Sequence, residues 1–251
     1  MKNIFNFYSF VLDNEERNDF YKKELTPSFW IEEKFDPSIR EKLLKISGDF
    51  YGDLKLTIPI KDIQLTGSLA NYNWTDKSDL DIHVLVDFKD IDENIELVKK
   101  ALDGMRFVWN LRHKIILRGH DVELYIQDIN EPHTASGLFS LKNNEWIRIP
   151  KYNPPEIDYK DVDKKLEGIV SEILELENLI NTSNFSSFSQ EEVYKHAVKL
   201  KSKILKMRGE GLARDGEFSV ENLVFKKLRN EGYIQKIIEL ISKAYTNIYN
   251  E

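Results

Sequence analysis

Asp79 and Asp81 stand two residues apart at the head of an apolar run, Leu80-Asp-Ile-His-Val-Leu-Val, and ten residues separate them from a Gly67-Ser68 pair that closes an earlier run, Ile63-Gln-Leu-Thr. On a strand alternate side chains share a face, so both carboxylates project together from Cα atoms about 6.5–7 Å apart. That span lets them share one divalent ion or bridge two. Two ions roughly 4 Å apart clamp the attacking and leaving oxygens of a phosphoryl transfer. Such a site wants a third acid from a neighbouring strand. Glu123, an acid between Val122 and Leu124, is the candidate; Asp121 is the alternative, although its place beside a turn accounts for it as well. Acids crowded on one face raise one another's pKa, a cost that a bound metal offsets. The plainer reading is that Asp79 precedes a strand and Asp81 faces water. At Gly67 the missing side chain permits positive φ and close backbone approach. The amides that follow, with the Ser68 hydroxyl, can hold phosphate oxygens. Alone, a Gly-Ser pair after a strand is an ordinary turn.

The elements that position these residues follow from periodicity. Asp36-Pro37 reads as cap and first residue of a helix over about 37–51, with Ile39, Leu43, Leu44, Ile46 and Phe50 near one stripe. Residues 63–66 form a short strand and 68–78 a polar, aromatic loop that opens on a helical turn. In 80–88, Leu80, Ile82, Val84 and Val86 face one way; Asp79, Asp81, His83, Leu85 and Asp87 face the other. Ile95, Val98, Leu102 and Met105 mark a helix over 92–112. Residues 114–118 and 122–127 pair as a hairpin across Arg118-Gly119-His120-Asp121, and 146–149 is a last strand. Phe29-Trp30-Ile31 is an anchor for the mixed segment 13–34. The breaker-rich Pro150–Glu156 is a linker. Beyond it come helices over 158–180, with Val162, Leu166, Ile169, Val170, Ile173, Leu176 and Ile180 as the apolar stripe, and 190–207. A Ser/Asn-rich loop (182–189) and a Ser189…Glu192 capping box precede the latter, and a break at Gly209-Glu-Gly211 and a loop at Asp215-Gly216 follow it. Two more helices complete the chain, Ser219–Arg229 and Tyr233–Tyr249. The fold class is α+β: a mixed α/β domain over 1–150, then a helical bundle over 158–251.

The 251 residues can bury one large or two small cores, and the absence of cysteine excludes disulfides and thiolate metal sites. No apolar run approaches the roughly 20 residues of a membrane helix, and the start Met1-Lys-Asn-Ile-Phe-Asn is too polar for a signal peptide. A cytoplasmic protein without a membrane partner is expected. The net charge of −7 argues against indiscriminate binding to phosphate backbones, yet residues 195–229 carry ten Lys/Arg against four Asp/Glu. Acids in one half and cations in the other suit a metal–polyphosphate site; a solvated helix face is the bland alternative.

The apolar residue, Gly67-Ser68, the ten-residue spacer and Asp79-Leu80-Asp81 resemble the signature of the polymerase β-type nucleotidyltransferase superfamily. The resemblance implies a polymerase β-like nucleotidyltransferase core that uses two Mg²⁺ ions, with Mn²⁺ as an alternative, to transfer a nucleoside monophosphate from a nucleoside triphosphate with loss of pyrophosphate. Asp79 and Asp81 would ligate both ions. Glu123, where an aspartate is more usual, would ligate the ion nearer the acceptor and help activate it. Gly67 and Ser68 would hold the terminal phosphates. More narrowly, Leu65–Trp74, Ser78-Asp-Leu-Asp-Ile-His and Gly216–Arg229 resemble predicted nucleotidyltransferases of large tailed phages and some bacteria, which makes a host cytoplasm a plausible setting. An RNA 3′ end such as tRNA is the favoured acceptor, with a protein hydroxyl or a small molecule as alternatives. A non-catalytic nucleotide-binding module of the same fold is the reading from another class.

Basic residues of the helical part would contact the triphosphate. Lys199, Lys203 and Lys206 share one face at spacings of four and three, with Arg208 nearby and Lys226, Lys227 and Arg229 as a second cluster. Tyr72 and Trp74 could stack on a base or pin the loop to the core. His83, on the strand face of Asp81, reads as a packing or supporting residue, with a place beside the metals or the acceptor as the alternative; His120 and His133 read as surface or turn residues. Ser136–Ser140 and Trp146 read as ordinary packing or as part of a cleft floor.

Overall fold

Asp36 caps the first helix, α1 (Pro37–Asp53), by accepting from the Ser38 and Ile39 amides, and Pro37 sits in the first turn, where its missing N–H loses no bond. The Ser38 hydroxyl and the Arg118 guanidinium, 2.6 Å away, hold the Asp36 carboxyl well below the usual range. The structure is a computed structural model and describes residues 21–133, 135–153, 156–182 and 189–249. These fall into two compact units, 21–153 and 156–249. The N-terminal twenty residues and most of the Ser/Asn-rich loop expected at 182–189 lie outside the described residues.

The first unit is built on a mixed six-stranded sheet of β3 (Asp62–Thr66), β4 (Leu80–Val86), β5 (Ile116–Leu117), β6 (His120–Asp128), β7 (Leu138–Ser140) and β8 (Glu145–Arg148), in the order β5-β6-β4-β3-β7-β8. β4 and β6 are parallel and are joined by a crossover through α2 (Ile95–Arg112); the other neighbours are antiparallel. A two-stranded ribbon, β1 (Trp30–Ile31) and β2 (Lys34–Phe35), lies outside this sheet. One sheet face carries Leu65, Leu80, Ile82, Val84 and Leu124 and shares a buried cluster with Ile39, Leu43 and Phe50 of α1 and Val98, Leu102 and Trp109 of α2. The alternation predicted for 80–86 holds from Leu80 to Val84 and fails at Leu85, expected on the polar face but buried there opposite the equally buried Asp62, so that end of the sheet is covered on both faces.

Several elements depart from the sequence reading. Trp109, rather than Met105, completes the buried stripe of α2: its ring lies 5.1 Å from Phe50 and its indole N–H donates to Asp53 at 2.9 Å, while Met105 is exposed. The β5–β6 turn is tighter than the expected four residues. Arg118 and Gly119 alone make it, both at positive φ, the two-residue geometry that suits the strand twist. The short strand β7 and the β1–β2 ribbon were not predicted, because two or three residues carry no readable period. In the anchor segment Phe29 and Trp30 are buried, but Ile31 is exposed.

Asn110 closes the outer edge of β6. Its amide nitrogen donates to the Leu124 carbonyl at 2.9 Å and its oxygen accepts from the Leu124 amide at 3.1 Å, so one side chain replaces a strand neighbour. Asn110→Leu leaves both backbone groups unpaired and is expected to cost about 1–3 kcal/mol in urea unfolding; a loss below about 0.5 kcal/mol would mean that the edge is satisfied otherwise.

The second unit is helical: α3 (Tyr159–Thr182), α4 (Gln190–Asp215), α5 (Val220–Asn230) and α6 (Tyr233–Tyr249). The predicted stripe of α3 from Val162 to Ile180 is buried, and the Ser189–Glu192 capping box is formed in both directions. The helix expected to stop near residue 207 continues through Gly209 and Gly211 to Asp215. Glycine costs about 1 kcal/mol in a helix interior, and Gly211 lies where the start of α5 crosses: a Cβ there would sit 2.7 Å from that of Glu221. No described helix is long and apolar enough to cross a membrane.

Candidate functional site

The face of the sheet away from the sealed cluster is polar, and strand register sets its rows. Thr66 of β3 lies opposite Asp81 of β4, which lies opposite Glu123 of β6. Parallel neighbours are separated by about 4.8 Å, so the Asp81 and Glu123 carboxylates project side by side, both half-buried. Asp79, also half-buried, comes just before β4, and Asp121, exposed, comes two residues before Glu123 at the Arg118-Gly119 turn. Glu123 is oriented by its own strand: the Tyr125 hydroxyl donates to Glu123 Oε2 at 2.5 Å. Burial, then the charges of Asp81 and Glu123, push the Tyr125 phenol far above its usual pKa, so it remains a donor.

Gly67 brings the turn onto the carboxylates. Its backbone, φ 75° and ψ −160°, occupies a region that only glycine visits freely. A Cβ there would lie 2.1 Å from Asp81 Oδ2. The glycine thus meets both conditions at once, conformation and contact. The chain then enters a 3₁₀ turn, Ser68–Ala70, secured from two sides: the Trp30 indole donates to the Leu69 carbonyl at 2.8 Å, and Gly137 packs so close to the Ala70 carbonyl that a side chain there would overlap it. Ser68 donates to the Ser78 hydroxyl at 2.8 Å, and Ser78 also accepts from the Thr75 amide, so the two ends of the 68–78 loop are tied together.

The next row holds Gln64, His83 and Tyr125. The His83 ring stacks on Tyr125 with centroids 4.6 Å apart, and its Nδ1 pairs with Gln127 Oε1 at 2.6 Å. The Arg106 guanidinium covers the Tyr125 ring at 4.5 Å. His133 packs 5.3 Å from His83, half-buried rather than a surface residue as predicted. His120, read as a turn residue, is buried against Phe29 and bonded to the Ser78 carbonyl at 2.7 Å. Tyr125 and Arg106 escaped the sequence reading. Tyr125 had a signal, being two residues from Glu123 and so on its face; Arg106 had none, since its helix reaches this row only through the crossover.

Burial pushes the His83 imidazole down to about pKa 4. The unfolded ring titrates near 6.5, so His83 contributes fully above that pH. Its contribution is lost as pH falls from about 6.5 through about 4, by at most about 1.4 kcal/mol per pH unit. NMR titration of the imidazole is expected to show no protonation between pH 8 and pH 5; a midpoint near 6.5 would contradict the burial argument.

Tyr72 and Trp74 pin their loop. Tyr72 packs against Tyr21 and Tyr152, and Trp74 donates to the Glu24 carbonyl at 2.9 Å with Lys22 over its ring. Trp146 stacks on Trp30 at 4.5 Å. Lys199, Lys203 and Lys206 lie on α4, in the other unit, all exposed. Lys203 pairs with Glu172 at 2.7 Å and Lys206 with Glu210 at 3.7 Å, while Arg208 covers the Phe225 ring and donates to Asn222. Lys227 pairs with Asp163, and Arg214 and Lys165 with the buried Glu221. Part of the basic segment therefore serves the packing of its own helices.

Carboxylate oxygens are the donors that Mg²⁺ prefers, so the chemistry of Asp79, Asp81 and Glu123 fits that ion. As the side chains stand, Asp81 and Glu123 are cross-strand neighbours, and among the described residues no three His, Asp or Glu side chains converge into one ion-holding group. No protein-family model and no curated protein sequence matches the chain.

Proposed function

We propose that the chain is a Mg²⁺-dependent nucleotidyltransferase with a polymerase β-like core, which joins a nucleoside monophosphate from a nucleoside triphosphate to a hydroxyl acceptor. The observation that carries this reading is the row Thr66–Asp81–Glu123 with the Gly67 backbone against the Asp81 carboxylate. It sets a backbone turn and two half-buried acids from different strands at one place on the polar face of the sheet. The order strand, Gly-Ser turn, strand, crossover helix and parallel strand supports the same reading.

In the proposed reaction the acceptor oxygen forms a bond to the α-phosphorus, the α–β bridging bond breaks, and pyrophosphate leaves with its electron pair. Asp79, Asp81 and Glu123 would hold Mg²⁺, with Mn²⁺ as the alternative ion; the bound metal would supply Lewis-acid charge to the phosphate oxygens. Glu123, kept in one orientation by Tyr125, would position the acceptor hydroxyl and help it lose its proton. The amides after Gly67 would face the terminal phosphates, and the Ser68 hydroxyl would join them by exchanging its bond to Ser78 for one to a phosphate oxygen.

We favour an RNA 3′ end such as tRNA as acceptor, because residues 195–229 hold a positive surplus on an otherwise acidic chain. The test is incubation with each of the four α-labelled triphosphates and Mg²⁺, in the presence of total RNA or total protein extract. Pyrophosphate release with label in RNA supports the full reading; label in protein moves the acceptor to a protein hydroxyl. Triphosphate binding without pyrophosphate release would leave a nucleotide-binding module, and the absence of both would end the proposal.

A further inference from the structure

The side of α2 turned away from the sheet carries a second apolar stripe. Leu97, Ala101, Gly104, Val108 and Leu111 succeed one another at spacings of four, three, four and three, the repeat of a coiled-coil seam. The buried stripe of the same helix, Val98, Leu102 and Trp109, adjoins it on the side of the sheet. Leu97 is 59% exposed, Val108 42% and Leu111 63%, and the flanking Met105 and Phe107 are exposed as well. A groove of about 800 Å³ runs along the seam, between Ala101, Gly104 and Val108 and the end of α1 at Leu54. A Cβ on Gly104 would meet nothing within 4 Å, so packing within this chain does not require glycine there.

The flanks identify the occupant. In heptad terms the positions beside the seam are Val98, Lys100, Met105, Phe107 and Arg112, and both charged ones are basic. His113 stands at the end of the groove, stacked on Trp109 at 4.4 Å. Asp53 also lines it, but its carboxylate is bonded to the Trp109 indole. Lys100 pairs with Glu96 on its own helix, both residues more than 70% exposed, a pairing of little strength. A second copy of this seam would bring four cations and no carboxylate to the flanks. A helix with acidic flanks would pair with both Lys100 and Arg112.

We propose that this face docks an amphipathic helix of another protein, with heptad-spaced apolar residues flanked by Asp or Glu. Neither the stripe nor its flanks belong to the carboxylate face, so this surface is independent of the proposed transfer reaction.

The test titrates the full chain against two fluorescein-labelled heptad peptides of about 21 residues, each with Ile and Leu along the seam, one with Glu and one with Lys on the flanks. Fluorescence anisotropy is expected to show the Glu peptide binding at least about tenfold more tightly than the Lys peptide, with an affinity that falls as salt rises. Val108→Asp should abolish binding. Lys100→Glu with Arg112→Glu, both exposed positions that leave the fold undisturbed by circular dichroism, should reverse the peptide preference. No binding of the Glu peptide, equal binding of both, or a concentration-dependent dimer in sedimentation that Val108→Asp removes would each overturn the proposal.

Discussion

Asp81→Asn is expected to reduce nucleotidyl transfer by about 10³-fold or more, with the fold unchanged. Asparagine keeps the shape of the side chain, so the row Thr66–Asp81–Glu123 and the packing against Gly67 persist. Removing one of two neighbouring carboxylates also relieves like-charge repulsion, and stability should hold or rise slightly in the absence of metal. The decisive comparison is pyrophosphate release by wild type and variant at saturating Mg²⁺, with urea unfolding as the control on structure. A metal titration adds a second readout: weaker activation by Mn²⁺ or Mg²⁺ is expected in the variant. Transfer within tenfold of wild type would show that Asp81 is not where the chemistry occurs. The same experiment on Asp121→Asn should leave transfer nearly unchanged, because Asp121 is exposed beside the hairpin turn.

Gly67→Ala should lower both stability and transfer. The backbone at φ 75° and ψ −160° costs a residue with a side chain of order 1–3 kcal/mol. The added methyl must also displace Asp81, whose Oδ2 lies 2.1 Å from the Cβ position. A loss of about 2–4 kcal/mol is expected from these two contributions, together with at least about a hundredfold loss of transfer as the carboxylate turns away. Gly119→Ala provides the comparison: its φ is 88°, but no atom lies within 4 Å of the added Cβ, so it isolates the backbone effect. The double variant Gly67→Ala with Asp81→Ala should recover the steric part of the loss and not the backbone part, a coupling that a thermodynamic cycle measures. Equal losses for Gly67→Ala and Gly119→Ala, with additivity in the cycle, would mean that Asp81 and Gly67 do not press on each other.

What the sequence could determine was local. Period two over 80–86 assigned Asp81 and His83 to one face and Ile82 and Val84 to the other, because a strand's side chains alternate whatever its partners are. Asp36-Pro37 and Ser189…Glu192 announced two helix starts, because a cap satisfies its own orphan amides with nearby atoms. The outlines of α3, α5 and α6 were readable from spacing for the same reason. The tertiary structure decided everything that depends on a distant segment. The parallel register that sets Asp81 beside Glu123 is a property of two strands separated by a helix, and no alternation within either reveals it. The continuation of α4 past Gly211 is explained only by the crossing at Glu221, and the choice of Trp109 over Met105 only by Asp53 and Phe50. His120 became a buried residue because Phe29 and the Ser78 carbonyl close over it from far along the chain. Gly67 joins the two levels. Its residue type allowed a sharp turn, but the reason it must be glycine is an oxygen of Asp81, fourteen residues later in sequence and in van der Waals contact only once β3 and β4 are paired.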